Sequence, residues 1–156
     1  EAGHDLGNHS ENHKNMSQLS VEECKSELQQ VHDKVKEITG YDMFLFRPPY
    51  GDYDNEVITT AREMGYYPIQ WDVDSLDWKN YGVSSIVQTV TEHKHLGNGS
   101  IILMHNGATY TADALETVIN SLRDQGYEIV PISELIHRDN YHMDHEGRQI
   151  SEQTEK

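Results

Sequence analysis

The chain has 156 residues, enough for one domain with its own core, and no apolar run approaches the ~20 residues of a membrane span. Its 27 acidic against 12 basic residues give a formal net charge of -15, which argues against nucleic acid or an anionic membrane face as a partner. The single cysteine, Cys24, excludes an internal disulfide and a zinc knuckle.

Hydrophobic residues are 35 % of the total and concentrate between Val21 and Ile136, with polar stretches at both ends. Ser20-Val21-Glu22-Glu23 is a capping box, in which the serine caps a helix start and Glu23 reaches back. Leu28, Val31, Val35 and Ile38 then recur at helical spacing, and Gly40 stops the helix at Thr39. Cys24 falls on this helix as a small hydrophobe. Residues 43–46 predict a short buried strand ending at Arg47, and residues 56–64 a helix closed by Gly65. A strand over 66–73, a helix over 83–95 and a loop at Gly97-Asn98-Gly99 follow. Residues 100–104 predict a strand, 112–125 a helix closed by Gly126, and 127–132 a last strand. Ser133 caps a short terminal helix. Residues 138–156 lack apolar periodicity and predict a loose tail after a domain spanning 1–137.

Helices alternating with strands imply an α/β fold of parallel strands joined by crossover helices. The apolar runs Ile101-Ile102-Leu103 and Ile129-Val130-Pro131-Ile132 fit strands covered on both faces. Four polar clusters punctuate this order, and all but the first lie at or just after a strand's C-terminal end. Parallel α/β proteins and β/α barrels build their active sites there.

In the first cluster, His9 and His13 are four apart, a spacing that puts two imidazoles on one side of a helical turn and lets them grip one metal ion. With ten histidines in the chain, such a pair also arises by chance. Asn8, Ser10 and Asn12 are placed to orient the rings. His32, His93, His95, His137, His142 and His145 read as surface residues, the last two as a weak metal pair. In Arg47-Pro48-Pro49-Tyr50-Gly51 two prolines stiffen the backbone after a strand. An apolar strand ending in Arg47 suggests a carboxylate partner, although a plain structural turn explains the prolines equally. Asp72, Asp74 and Asp77 crowd the next strand end, where some must face solvent or pair with a cation. Asp77, beside Trp78, suits a residue that orients a histidine. In Leu103-Met104-His105 the histidine directly ends a strand, as a satisfied capping residue or an acid-base group.

The order His9-Ser-x-Asn-His13, Arg47-Pro-Pro-Tyr50-Gly, Asp77-Trp78 and Leu103-x-His105 resembles motifs two to five of the polysaccharide deacetylase family, carbohydrate esterase family four. The string from Trp71 to Lys79 is most similar to bacterial peptidoglycan N-acetylglucosamine deacetylases. The resemblance implies the larger, C-terminal part of an irregular (β/α) barrel. It implies removal of N-acetyl groups from a hexosamine polymer, with chitin, chitooligosaccharide or acetyl-xylan as alternative substrates. It further implies a divalent metal held by His9 and His13, zinc before cobalt or nickel. Arg47 is then the ion-pair partner of a catalytic base, and Tyr50 the backbone donor to an oxyanion. His105 becomes the general acid, supported by Asp77, while Trp78 and Leu103 wall the acetyl pocket.

The family's Thr-Phe-Asp-Asp-Gly motif, source of the base and the third metal ligand, is absent from these residues. The start at Glu1-Ala2-Gly3-His4 reads as an internal cut. The expected partners are an acetylated polysaccharide and the segment bearing that motif, without which the fragment would be inactive. The expected location is extracellular or in a bacterial cell envelope.

Overall fold

Gly7–Asn8 opens the first sheet as β1, a strand too short to carry a periodic signal. The structure, a computed structural model, describes residues 2–152. They fall into two compact units, one running to Gln70 and resuming at Ile136, the other spanning Trp71–Leu135.

In the first unit the capping box forms as the sequence predicts. The Glu23 N–H donates to the Ser20 hydroxyl, and the Glu23 carboxylate accepts from the Ser20 N–H at 2.9 Å. Helix α1 (Val21–Thr39) ends where Gly40 takes φ 73, a conformation glycine adopts without penalty. Strands β2 (Leu45–Phe46) and β3 (Tyr67–Pro68) flank helix α2 (Asn55–Glu63). All three strands are parallel in the order β1-β2-β3, with Asn8 opposite Phe46 and Phe46 opposite Pro68. Met16, Cys24, Leu28, Met43, Phe46, Val57, Ala61 and Tyr66 form the core. Burial, then the charges of Asp54, Glu56 and Glu27, push the Cys24 thiol up to about 11, which leaves it inert.

In the second unit β4 (Val73–Asp74) pairs in parallel with β5 (Ile102–Leu103), with helix α3 (Val83–Thr91) between them and α4 (Thr111–Asp124) after. Val73, Ile86, Val90, Ala114, Val118 and Leu122 make its core.

Three expectations need correction. The single strand over 66–73 is two short strands in different sheets, because the Asp72 side chain turns the chain by accepting from the Ile101 N–H and the Ser100 hydroxyl at 2.9 and 3.0 Å. Residues 127–131 form no strand, since an apolar run becomes one only against a partner edge. Here it lines a cavity of about 480 Å³ with Leu96, Ile101, Ile102 and Leu122, and helix α5 (Ile132–Leu135) follows, with Ser133 inside it and not capping it. The tail is not loose up to residue 152: β6 (Tyr141–Met143) and β7 (Gln149–Ser151) form an antiparallel hairpin in the first unit. The Asp144 carboxylate accepts from the Glu146 and Arg148 N–H groups in its turn, Arg62 lies over the Tyr141 ring, and Arg138 over Phe44. Residues 153–156 lie outside the described part.

Leu28 is fully buried against the first core, so Leu28→Ala is expected to cost roughly 2–5 kcal/mol in urea denaturation, and Ser20→Ala about 1 kcal/mol. Equal losses would contradict this division between core and cap.

Candidate active site

The first cluster is built on the end of β1. Asn8 is buried there, its amide donating to the Leu28 carbonyl at 2.8 Å and the Tyr66 hydroxyl at 3.0 Å. Its carbonyl accepts from the Arg47 N–H at 3.0 Å, so the strand end is pinned from three sides. The next residue, His9, places Nδ1 at 2.5 Å from the Arg47 carbonyl oxygen. A carbonyl only accepts, so Nδ1 carries a proton, which in the neutral ring leaves the lone pair on Nε2.

The chain then turns through Ser10 at φ 63 and His13 at φ 51, with the His13 N–H donating to the Ser10 hydroxyl at 3.0 Å. This loop brings the two imidazoles together edge to face, centroids 4.9 Å apart, and sets His13 against the Tyr50 ring at 4.6 Å. The pair therefore meets through a left-handed loop and not on a helical turn as the spacing suggests. Asn8 and Asn12 make bonds that anchor the loop backbone, and the Arg47 carbonyl orients His9.

The donor chemistry suits a divalent metal. Two imidazoles face each other, and one has its tautomer set with Nε2 as the lone-pair donor. No group of three His, Cys, Asp or Glu able to hold a metal occurs among the described residues.

Arg47 is half-buried after β2, and burial lowers its pKa. No carboxylate among the described residues forms an ion pair with it. Beyond it, Pro48 and Pro49 are buried, and the Gly51 and Asp52 N–H groups close the turn onto the Pro48 and Pro49 carbonyls at 3.1 and 3.0 Å. Tyr50 at the apex takes φ 59 with its side chain largely exposed, a left-handed conformation that costs a non-glycine residue about 1–3 kcal/mol. Asp52 ties the turn down by accepting from the Ser17 N–H and hydroxyl at 2.9 and 2.8 Å.

In the second unit the three aspartates have separate tasks. Asp72 turns the chain as described, and Asp74 accepts from the Leu76 N–H at 2.9 Å. Asp77, fully buried, sits on a 3₁₀ turn over Asp77–Lys79 entered through Leu76 at φ 55. Its Oδ2 accepts from the His105 N–H at 2.6 Å and from the Thr111 hydroxyl at 2.7 Å, and its Oδ1 faces His105 Nδ1 at 2.8 Å. Backbone and ring of His105 are thus held by one carboxylate. The His105 side chain is 41 % exposed, so the ring keeps access to solvent. Trp78 is exposed beneath the Lys79 ammonium, while Leu103, opposite Asp74 in the sheet, is buried.

Sequence reasoning missed three groups. Glu27 reads as one polar helix position among many, yet it is buried and accepts from the Asn12 N–H and side chain at 2.7 and 2.8 Å. Thr111 reads as a helix start. His32, expected on the surface, is partly buried with Nδ1 at 2.8 Å from the Tyr66 hydroxyl. The one available signal is Glu27's place on the apolar face between Cys24 and Leu28.

Burial alone would raise the Asp77 carboxyl, but the bonds from the His105 N–H, Thr111 and the His105 ring outweigh it and hold it below the ordinary value. A carboxyl lowered on folding stabilises the chain above its unfolded value of about 3.9, and that stability is lost as pH falls through the folded value. Asp77→Asn is expected to cost on the order of 2 kcal/mol at neutral pH. In urea denaturation the difference from wild type should hold down to about pH 5 and shrink below about pH 4. A difference that widens on acidification would contradict this account.

A family model described as polysaccharide deacetylase matches residues 1–69. Over 133 residues the chain is 37 % identical to the peptidoglycan-N-acetylmuramic acid deacetylase PdaC of Bacillus subtilis, covering 85 % of this chain and 27 % of that protein. A carbohydrate esterase family 4 pseudoenzyme from Bacillus anthracis superposes with a TM-score of 0.77 at 36 % identity, over 83 % of this chain and 45 % of that one. A family 4 carbohydrate esterase from Streptomyces lividans, solved in complex with acetate, gives 0.74 at 31 % identity, over 94 % of this chain and 70 % of that one. The parallel β-α order corresponds to part of the (β/α) barrel of these proteins. The chain belongs to carbohydrate esterase family 4, the polysaccharide deacetylases.

Proposed function

We propose that this chain is the histidine-bearing part of a metal-dependent deacetylase that removes N-acetyl groups from peptidoglycan N-acetylglucosamine. The observation that carries the reading is the facing pair His9 and His13, with the His9 proton fixed on Nδ1 by the Arg47 carbonyl. Such a pair supplies two of the three protein ligands of a catalytic zinc. A carboxylate from outside residues 1–156 is the third in this proposal. When bound, the metal would supply Lewis-acid polarisation of the acetamide carbonyl and of water.

The chain's own groups supply the rest. The Tyr50 N–H, held at the apex of the rigid Pro-Pro turn, donates to the oxyanion that forms as water adds to the acetamide carbon. The half-buried Arg47 guanidinium pairs with the carboxylate that takes the proton from that water. His105 Nε2 delivers a proton to the leaving amine nitrogen as the C–N bond breaks, yielding acetate and a free amine, while Asp77 holds Nδ1. Trp78 and Leu103 flank the acetyl methyl.

Two observations favour second readings. PdaC is named for N-acetylmuramic acid, which differs by a lactyl group on the same sugar skeleton. The Bacillus anthracis relative, 36 % identical, is a pseudoenzyme, which makes a catalytically silent member the other reading. Chitin and acetyl-xylan remain further substrates for comparison. A peptidoglycan substrate places the protein at the bacterial cell envelope; no helix among the described residues is long and apolar enough to cross a membrane.

The test is acetate release from purified peptidoglycan by the full-length protein, with mass spectrometry assigning the freed amine to either sugar. Release from N-acetylglucosamine is expected. Release from N-acetylmuramic acid alone would move the substrate, and none after metal loading would favour the silent member. His105→Ala is expected to lower kcat by about 10²–10⁴-fold with metal affinity unchanged. Loss of metal in that variant would make His105 a ligand and overturn the roles.

A further inference from the structure

Two carboxylates are buried among the described residues, Asp77 and Glu27. The first holds His105; the second has no part in the chemistry above. Glu27 is 3 % exposed and lies on the core-facing side of α1 beside Cys24 and Leu28, where an ionised group is costly unless its oxygens are satisfied.

Among the described residues the partners of these oxygens are two, and those two flank His13. Oε2 accepts from the Asn12 N–H at 2.7 Å; Oε1 accepts from the Asn12 side-chain amide at 2.8 Å and faces the Lys14 ammonium at 2.9 Å. Between them, His13 sits at φ 51, a conformation L residues seldom adopt unless their surroundings impose it. The clamp therefore holds the Asn12 backbone on one side of a strained ligand residue and the Lys14 ammonium on the other, without touching its ring. The ring's own neighbours, His9 and Tyr50, meet it only edge to face.

We propose that Glu27 is a positioning residue for the metal ligand His13, its buried carboxylate gripping Asn12 and Lys14 so that the left-handed loop turns the imidazole toward His9. This rests on the reading of His9 and His13 as a ligand pair. Without the clamp, His13 relaxes to an ordinary backbone conformation, and the two rings must be brought together at the moment of binding.

The experiment is a titration of the metal-free full-length protein with Co²⁺ alone, followed by visible absorption, beside thermal unfolding of the same samples. Glu27→Ala removes all three contacts and should weaken Co²⁺ binding by about 10–100-fold, the range found when groups supporting a ligand are lost. Glu27→Gln keeps one carbonyl acceptor and the side-chain volume, and should recover part of that loss. Asn12→Ala removes the side-chain amide contact from the exposed side without opening the core, keeps the Asn12 N–H and Lys14 contacts, and should give a smaller loss that still reads the clamp if Glu27→Ala does not fold. A merely structural role would lower the unfolding temperature while the folded variants bound Co²⁺ as wild type does. That result, in Glu27→Gln and Asn12→Ala together, overturns the inference alone. A wild-type protein that binds no Co²⁺ overturns the ligand reading and the inference with it.

Discussion

The hydrogen bond from the His9 ring to the Arg47 carbonyl joins two clusters that lie 38 residues apart in the chain, and the chemistry of the first unit depends on it. It exists because β1 and β2 run parallel with Asn8 opposite Phe46, so that both strands deliver their next residue to the same edge. The strand-end bond from the Arg47 N–H to the Asn8 carbonyl fixes that register. A slip of one residue would present the other face of each strand and separate the pair. Sheet register thus decides the tautomer of a side chain, and the tautomer decides which nitrogen is available as a ligand.

The second unit solves a related problem with a different acceptor. His105 also has Nδ1 held by an oxygen, but here it belongs to a buried carboxylate that also grips the His105 N–H and Thr111. A neutral carbonyl suits an imidazole that must stay neutral to donate a lone pair. A carboxylate suits one that must carry a proton. In the proposed roles the charge of the acceptor separates the two rings, although both are held through the same atom.

Much of this could be read from the residues in order. The capping box at Ser20 and the stop at Gly40 are local signals and set α1. The site clusters are legible because their chemistry is packed into runs of three to eight residues at strand ends. What could not be read depends on distant partners. β1 exists only because β2 lies beside it, residues 127–131 have no strand partner, and the hairpin near the C-terminus is held by Arg62 and Phe44, whose contacts leave no trace in its own pattern. Glu27 and Thr111 look like ordinary helix residues because the groups they bind are 15 and 34 positions away.

The most direct measurement is long-range ¹H–¹⁵N correlation NMR of the histidine rings in metal-free, full-length protein. The account predicts that His9 shows a protonated Nδ1 and, in its neutral form, an Nε2 with the shift of an unprotonated ring nitrogen. A proton on His9 Nε2, or rapid exchange between the two tautomers, would contradict it.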